Sequence, residues 1–153
     1  MFQPGLFPGE NLYLDLDVVL TAPVVLPKLN GKLWTLDDFS YSIAKPRIVD
    51  DPHVRRLLGG AGTVNSSVMY WRDDAASAVW DKFTPGIMDE LHGDQNWITR
   101  ALWPHGISLL PKGLANSYKY HIMNGEKPAP IVVFHGEPKP SQLRERWLTE
   151  NWR

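Results

Sequence analysis

The stretch Tyr13-Leu14-Asp15-Leu16-Asp17-Val18-Val19 is an apolar run that carries two carboxylates, two residues apart. In a β-strand, residues i and i+2 point to the same face, so Asp15 and Asp17 would project side by side, about 6 to 7 Å apart. On a helix the two side chains would diverge by about 200°. The alternation predicts a strand over residues 12–20 whose paired carboxylates suit a divalent cation. The alternative is a strand end that enters a turn, where Asp is common.

Length and composition indicate one globular domain over residues 1–153. Sixteen basic against seventeen acidic residues give a formal net charge of −1, so no nucleic-acid partner is predicted. The absence of cysteine excludes disulfides and thiolate metal sites and leaves carboxylate and imidazole as the strong ligands. No apolar stretch approaches the length of a membrane span and the N-terminus lacks a signal sequence, so we expect a cytoplasmic protein.

Prolines divide the chain into short elements. Residues 21–51 are expected to be irregular, apart from a short strand at residues 47–49. The other predicted elements are a strand at 63–71, helices at 75–83, 85–91 and 95–102, strands at 107–110 and 131–134, and a final helix from residue 140 with an apolar stripe of Leu143, Trp147 and Leu148. Asp73 and Asp74 are predicted to cap the first helix and Asp94 the third. Strands interleaved with helices predict an α/β domain with a mixed sheet flanked by helices.

The predicted strand at residues 131–134 ends in the polar sequence His135-Gly136-Glu137-Pro138-Lys139. The imidazole of His135 could complete the coordination of an ion held by the two aspartates, while Lys139 could neutralise a phosphate oxygen. Gly136 permits a ligand to approach the backbone closely. A histidine at a strand end is by itself more often a structural residue. Its combination with the carboxylate pair favours a site.

Three further polar groups have simple structural explanations. Asp94 and Gln95 begin a predicted helix, where Asp94 would accept backbone N–H bonds as a cap. Asn65 is a polar residue in a predicted strand that is expected to be otherwise buried, and it could satisfy neighbouring backbone groups. The sequence Ser117-Tyr118-Lys119-Tyr120-His121 could add a cation and aromatic surfaces, or form a surface strand or turn. None of the three indicates a function alone.

Taken in order, these motifs resemble the GT-A glycosyltransferases related to glycogenin. The residues that carry the resemblance are Asp15-Leu16-Asp17, Asn65-Ser66-Ser67-Val68-Met69, Gly93-Asp94-Gln95 and His135-Gly136-Glu137-Pro138-Lys139-Pro140. The pattern is most similar to an uncharacterised bacterial and phage branch with YLDLD, GDQ, SYK and FHG-x-PKP motifs. The resemblance covers the chain from about Tyr13 to the C-terminus, and it implies a truncated or minimal GT-A fold.

The resemblance also implies an activity, the transfer of a sugar from a nucleotide-diphosphate donor to an unidentified acceptor, with retention of configuration. By this resemblance Asp15 and Asp17 form the DxD motif and, with His135, hold Mn²⁺ or Mg²⁺ on the donor diphosphate. Lys139 matches the lysine that contacts the diphosphate, and Gly136 lies beside it.

The same resemblance assigns sugar contacts to three other residues. Asn65 matches a position near the transferred sugar. Asp94 and Gln95 match the pair that contacts the sugar near its anomeric carbon. These are the residues implied to act in catalysis and in donor binding.

Two features depart from the family's pattern. The family places its lysine six residues after the histidine, whereas Lys139 follows His135 by four. A nucleotide-binding half of roughly a hundred residues normally precedes the DxD motif, whereas about a dozen residues precede Asp15 here. The sequence is therefore interpreted as a fragment, as a chain that borrows this half from a partner chain or a second copy, or as a reduced relic.

Two other functions remain open. Leu14-Asp15-Leu16-Asp17 resembles the nucleophile motif of HAD-like phosphohydrolases, in which Asp15 would attack phosphorus and Asp17 would be the general acid and base. Val18 and Val19 argue against it, because a small residue and a Thr usually follow the second Asp. The other alternative is a non-catalytic GT-A-derived module whose exposed apolar surface forms an oligomer interface.

Overall fold

The computed structural model describes residues 1–39, 64–91, 93–103 and 105–152. The chain forms two compact units, of which the first comprises Met1–Tyr13 and Lys28–Leu109 and the second comprises Leu14–Pro27 and Leu110–Arg153. The single domain expected over residues 1–153 stays a prediction. The strand expected at residues 47–49 lies outside the described residues.

The described elements are short, as the spacing of prolines predicts. The strands are β1 (Glu10–Leu14), β2 (Val18–Leu20), β3 (Leu33–Asp37), β4 (Val64–Arg72), β5 (Ile107–Leu109), β6 (Ala115–Ser117) and β7 (Ile131–Val133). The α-helices are α1 (Ala78–Asp81), α2 (Ile87–Glu90), α3 (Asp94–Leu102) and α4 (Arg146–Asn151), and 3₁₀ turns cover Ile122–Asn124 and Pro140–Gln142. None of the helices in the described ranges has the length and apolar character that a membrane crossing requires.

The first unit contains a four-stranded mixed sheet in the order β1-β4-β3-β5. Strand β3 is antiparallel to β4 and parallel to β5. The prediction of irregular structure over residues 21–51 is wrong for β3, in which Leu33, Thr35 and Leu36 are buried. The burial pattern of this strand departs from period 2 because the consecutive residues Thr35 and Leu36 are both buried where the register with β4 shifts, and that shift is not visible in the local sequence.

The continuous strand predicted over residues 12–20 is wrong as well. Strand β1 ends at Leu14 and β2 begins at Val18. The residues between them form a turn in which the N–H of Val18 donates to the carbonyl oxygen of Asp15 at 3.1 Å. Leu16, at the centre of the turn, is 98% exposed. Because β1 and β2 pair in different sheets, the chain must turn here, and aspartate favours turns.

Helix α3 packs its apolar face against the first sheet, as its sequence predicts. Ile98, Ala101 and Leu102 are buried in one cluster with Leu33 and other strand residues. The spacing of these residues places them on one side of the helix. The indole of Trp97 donates to the carbonyl oxygen of Val79 at 3.0 Å, which joins α3 to α1.

Asp73 and Asp74 do not cap a helix, which corrects the prediction. Helix α1 has Ser77 at its N-cap position. The N–H of Gly9 donates to the carboxylate of Asp73 at 2.7 Å, and the N–H of Gly5 donates to that of Asp74 at 2.8 Å. The two carboxylates therefore attach the N-terminal segment to the end of β4.

The second unit contains a three-stranded sheet in the order β2-β7-β6, with β7 antiparallel to β2 and parallel to β6. One of its faces packs against α4 through a buried cluster, which consists of Val19, Tyr118, Val132, Phe134 and Leu148. Leu143 and Trp147 pack against this cluster, although Leu143 precedes the helix and so does not share a helical stripe with Trp147 and Leu148. The final helix nevertheless begins at Arg146, because residues 140–142 form a separate 3₁₀ turn.

Glu145, at the N-cap position of α4, ties this helix to the core of the second unit. Its carboxylate accepts a hydrogen bond from the hydroxyl of Tyr118 and another from the indole of Trp147 at 2.5 Å. Burial raises the pKa of Tyr118 to about 12, and the hydrogen bond to Glu145 acts in the same direction. Tyr118 therefore stays protonated, as the hydrogen bond requires.

Candidate functional site

The Asp-Leu-Asp turn and the His-Gly-Glu-Pro-Lys sequence lie side by side in the second unit. Strand β2 pairs with β7, with Val18 opposite Val133. The N–H of Phe134 donates to the carbonyl oxygen of Asp17 at 3.3 Å. Antiparallel pairing thus places the start of one strand next to the end of the other. Two motifs far apart in the sequence become neighbours.

An ion pair joins the two motifs. The Nζ atom of Lys139 lies 2.6 Å from Oδ2 of Asp17, and the two side chains are 43% and 24% exposed. The hydrogen bond to Asp17 raises the pKa of Lys139, and the negative charges of Asp17, Glu137 and Asp15 act in the same direction, against a smaller lowering by burial. The ammonium therefore keeps its charge in a mainly acidic surrounding.

The backbone at Lys139 is fixed by Gln142. The N–H of Lys139 donates to the side-chain oxygen of Gln142, and the N–H of Gln142 donates to the carbonyl oxygen of Lys139 at 3.0 Å. These reciprocal bonds hold the backbone at the start of the 3₁₀ turn. The position of the Lys139 side chain is thus anchored at its base.

His135 and Gly136 continue the chain beyond β7. The imidazole of His135 is half-buried, with its Nε2 atom shielded from solvent and its ring centroid 6.0 Å from that of Tyr120. Gly136 is exposed and has φ +64°, in the left-handed region that favours glycine. Apart from its chain neighbours, no described residue has an atom within 4 Å of the place that a Cβ would take, so the space beside Gly136 is open.

The side chains of Asp15, Asp17 and His135 carry atoms that suit the predicted Mn²⁺ or Mg²⁺, but they are not arranged around a common point. Carboxylate oxygens and imidazole nitrogen are ligands for Mn²⁺ or Mg²⁺. In the part of the chain that the structure describes, however, no three Asp, Glu or His side chains come together as a group that could hold a metal ion. Lys139 occupies the carboxylate of Asp17. The assignment of Asp15, Asp17 and His135 as metal ligands stays a prediction.

The residues predicted to contact a sugar belong to the first unit. Asp94 is the first residue of α3, and Gly93 holds the N-cap position. The predicted capping role of Asp94 is therefore wrong. Its carboxylate instead accepts a hydrogen bond from the hydroxyl of Ser66 on β4, with an Oγ–Oδ2 distance of 2.9 Å. This bond fixes the direction of an otherwise exposed side chain.

Asn65 and Gln95 make bonds within the fold. The side chain of Asn65 is buried, and its Oδ1 accepts the N–H of Ser67 at 3.0 Å. The carbonyl oxygen of Gln95 accepts the hydroxyl of Thr99 at 2.7 Å. The structural explanation given above fits the bond of Asn65, and the sugar contacts of both residues stay predictions.

The motifs assign no role to Ser66 or Glu137, although both residues lie within them. Ser66 lies where the β3–β4 register shifts, from Thr35 opposite Met69 to Leu36 opposite Asn65. This bulge aims the serine hydroxyl at α3. The position of Glu137 between His135 and Lys139 is the signal that would have identified it.

No protein-family model matches the sequence, and no curated protein matches it. Among solved structures, the chain is similar to the crystal structure of the galactosyltransferase LgtC in complex with donor and acceptor sugar analogues, with a TM-score of 0.53 and 15% sequence identity. The match covers 86% of this chain and 54% of that one, so the chain spans about half of the length of LgtC. At this identity the likeness concerns the fold. The chain has a mixed α/β fold that is similar to about half of the fold of this galactosyltransferase.

Proposed function

We propose that this chain is a metal-dependent glycosyltransferase, or the catalytic part of one, that uses a nucleotide-diphosphate sugar as donor. The similarity of its fold to a galactosyltransferase carries the proposal. The DxD sequence at residues 15–17 and the His-Gly-x-Pro-Lys sequence at residues 135–139 support it, because the two motifs are adjacent in the second unit.

In this proposal Asp15, Asp17 and His135 hold Mn²⁺ or Mg²⁺. When bound, the cation stabilises the negative charge that accumulates on the departing diphosphate. Lys139 contributes a second positive charge to the same phosphate oxygens. Gly136 lets the phosphates approach the backbone, since the space beside it is open.

Asp94 and Gln95 are proposed as the catalytic pair that contacts the sugar, and Asn65 as a further donor-binding residue. Ser66 is a positioning residue for Asp94, because its hydroxyl holds one carboxylate oxygen. Such polar side chains orient a sugar toward its acceptor and reduce the entropy lost on the way to the transition state.

A thermal-shift experiment tests the proposal. Mn²⁺ together with a nucleoside diphosphate at about 100 times Kd adds about 2.7 kcal/mol to the stability of the protein. The melting temperature should rise by about 5 °C or more. Asp17→Ala should abolish the rise, measured from the variant's own melting temperature, while the exposed Asp89→Ala should keep it. No shift at millimolar ligand in the unsubstituted chain would contradict the proposal.

A non-catalytic interaction module is the second candidate. The observation in its favour is that the described Asp, Glu and His side chains form no group of three suited to a metal. Stable self-association in light scattering, together with an absent thermal shift with Mn²⁺, would favour this function over catalysis.

A further inference from the structure

We propose that a groove along α4 in the second unit binds a sugar ring that carries a carboxylate. The groove is lined by residues between Pro140 and Trp152 and has a volume of about 280 Å³. This volume is at the lower end of the range of ligand pockets, so the groove suits one sugar ring better than a long chain. None of the residues assigned to the nucleotide-sugar donor lines it, and such a site is independent of the proposed function.

Apolar side chains give the groove a surface on which a ring can lie. Leu148, which is buried, and Leu143, which is half-buried, line the groove together with Trp152. Trp152 is 37% exposed, so part of its surface is open to a ligand. A pyranose ring has a face of C–H groups, and an indole offers a large, flat apolar surface for such a face. The tryptophan can therefore serve as a platform for a sugar ring.

Two hydroxyl groups line the same groove. They belong to Ser141 and Thr149, both of which are exposed. The hydroxyl of Thr149 donates to the carbonyl oxygen of Arg146 at 3.0 Å, and its oxygen can still accept a hydrogen bond. The hydroxyls of a bound sugar need partners of this kind, because an unpaired polar group removed from water is costly. Hydroxyls beside an aromatic surface thus favour a sugar over a purely apolar ligand.

The charge of the groove is positive. Arg144 lines it, and no carboxylate is among the described residues of the lining. Arg72, Arg100 and Arg146 each form an ion pair with a glutamate. Arg144, the fourth arginine in the described ranges, pairs with none of the described carboxylates. Its charge is therefore left for an anionic ligand.

The guanidinium of Arg144 is already oriented by the backbone. Its Nη1 atom donates to the carbonyl oxygen of Ser141 at 3.1 Å and to that of Leu143 at 3.0 Å. Nε and Nη2 have no hydrogen-bond partner among the described residues. Two parallel N–H bonds from a guanidinium match the two oxygens of a carboxylate. Arg144 therefore favours a sugar acid over a neutral sugar.

NMR titrations of the isotope-labelled full chain, in buffer without metal ions, test this site. Methyl glucuronide presents the ring, the hydroxyls and the carboxylate together. It should bind with millimolar affinity and shift the indole N–H signal of Trp152, which is identified by its loss in Trp152→Phe. Methyl glucoside lacks the carboxylate, and cyclohexanecarboxylate lacks the ring hydroxyls. Each should bind about tenfold more weakly than methyl glucuronide.

Arg144→Met removes the charge from the groove. It should weaken the binding of methyl glucuronide about tenfold and leave that of methyl glucoside nearly unchanged. Arg146→Met is the matched control, because it removes the same charge from α4 at a side chain that is 91% exposed and does not line the groove. This control should bind methyl glucuronide like the unsubstituted chain, and circular dichroism should show that both variants are folded.

Either of two results would contradict this site. One is that the unsubstituted chain binds methyl glucuronide no more tightly than methyl glucoside or cyclohexanecarboxylate. The other is that Arg144→Met binds methyl glucuronide as tightly as Arg146→Met. Both results would leave the proposed function standing, because the thermal shift with Mn²⁺ and a nucleoside diphosphate tests that function separately.

Discussion

Asp17→Asn is expected to lower the rate of donor turnover by about 10²- to 10³-fold, since metal-ion charge stabilisation contributes several kcal/mol and each 1.36 kcal/mol is a factor of ten. The amide keeps the shape of the carboxylate and removes its charge. The amide would then neither hold the cation nor form an ion pair with Lys139. The measurement is the release of nucleoside diphosphate from a panel of nucleotide sugars in the presence of Mn²⁺.

Asp89→Asn provides the control for this result. Asp89 is exposed on α2, so removing its charge should leave turnover unchanged. If the unsubstituted chain and Asp17→Asn turned over the donor at the same rate, Asp17 would have no role in catalysis.

Leu148→Ala is expected to lower the free energy of unfolding by about 3 kcal/mol, the usual cost of truncating a buried leucine. Leu148 is 1% exposed and packs α4 against Val19, Val132 and Phe134. Truncation would leave a cavity at the centre of the second unit's core. The measurement is urea denaturation followed by circular dichroism.

The control is the same substitution at Leu16, in the same unit. Leu16 is 98% exposed, so Leu16→Ala should change the stability by less than about 0.5 kcal/mol. If both variants lost the same stability, Leu16 would be part of a core, as the continuous strand over residues 12–20 requires. The comparison therefore tests the turn at Asp15–Asp17 as well as the packing of α4.

The elements with a strong local signal could be predicted from the sequence. Strand β7 is an apolar run with turn residues at its ends, the second half of β4 is an apolar run, and α3 has apolar residues at helical spacing. The predictions that were wrong concern elements whose form depends on pairing between segments that are distant in the sequence. The alternation over residues 12–20 fits one strand locally, but β1 and β2 pair with β4 and β7 in separate sheets.

In the candidate site, too, features with a local signal could be predicted from the sequence, whereas contacts between distant residues could not. Asp17 lies near Lys139 because β2 and β7 are neighbours and both have polar residues at their ends. The sequence pattern indicates these polar strand ends. The ion pair between them depends on how a flexible lysine is oriented, and no spacing rule determines that. The hydrogen bond from Ser66 to Asp94 depends on a bulge in β4, which the sequence does not reveal. An Asp at the start of a helix indicates an N-cap, so the sequence predicts that role for Asp94 instead.

Anomalous scattering from Mn²⁺ tests the central claim most directly. Crystals of the chain grown with Mn²⁺ and a nucleoside diphosphate should show one strong peak within about 2.5 Å of carboxylate oxygens of Asp15 and Asp17 and of a His135 nitrogen. Lys139 should then contact the diphosphate. A peak elsewhere, or none while Lys139 remains on Asp17, would contradict the assignment of this site to a metal-bound nucleotide-sugar donor.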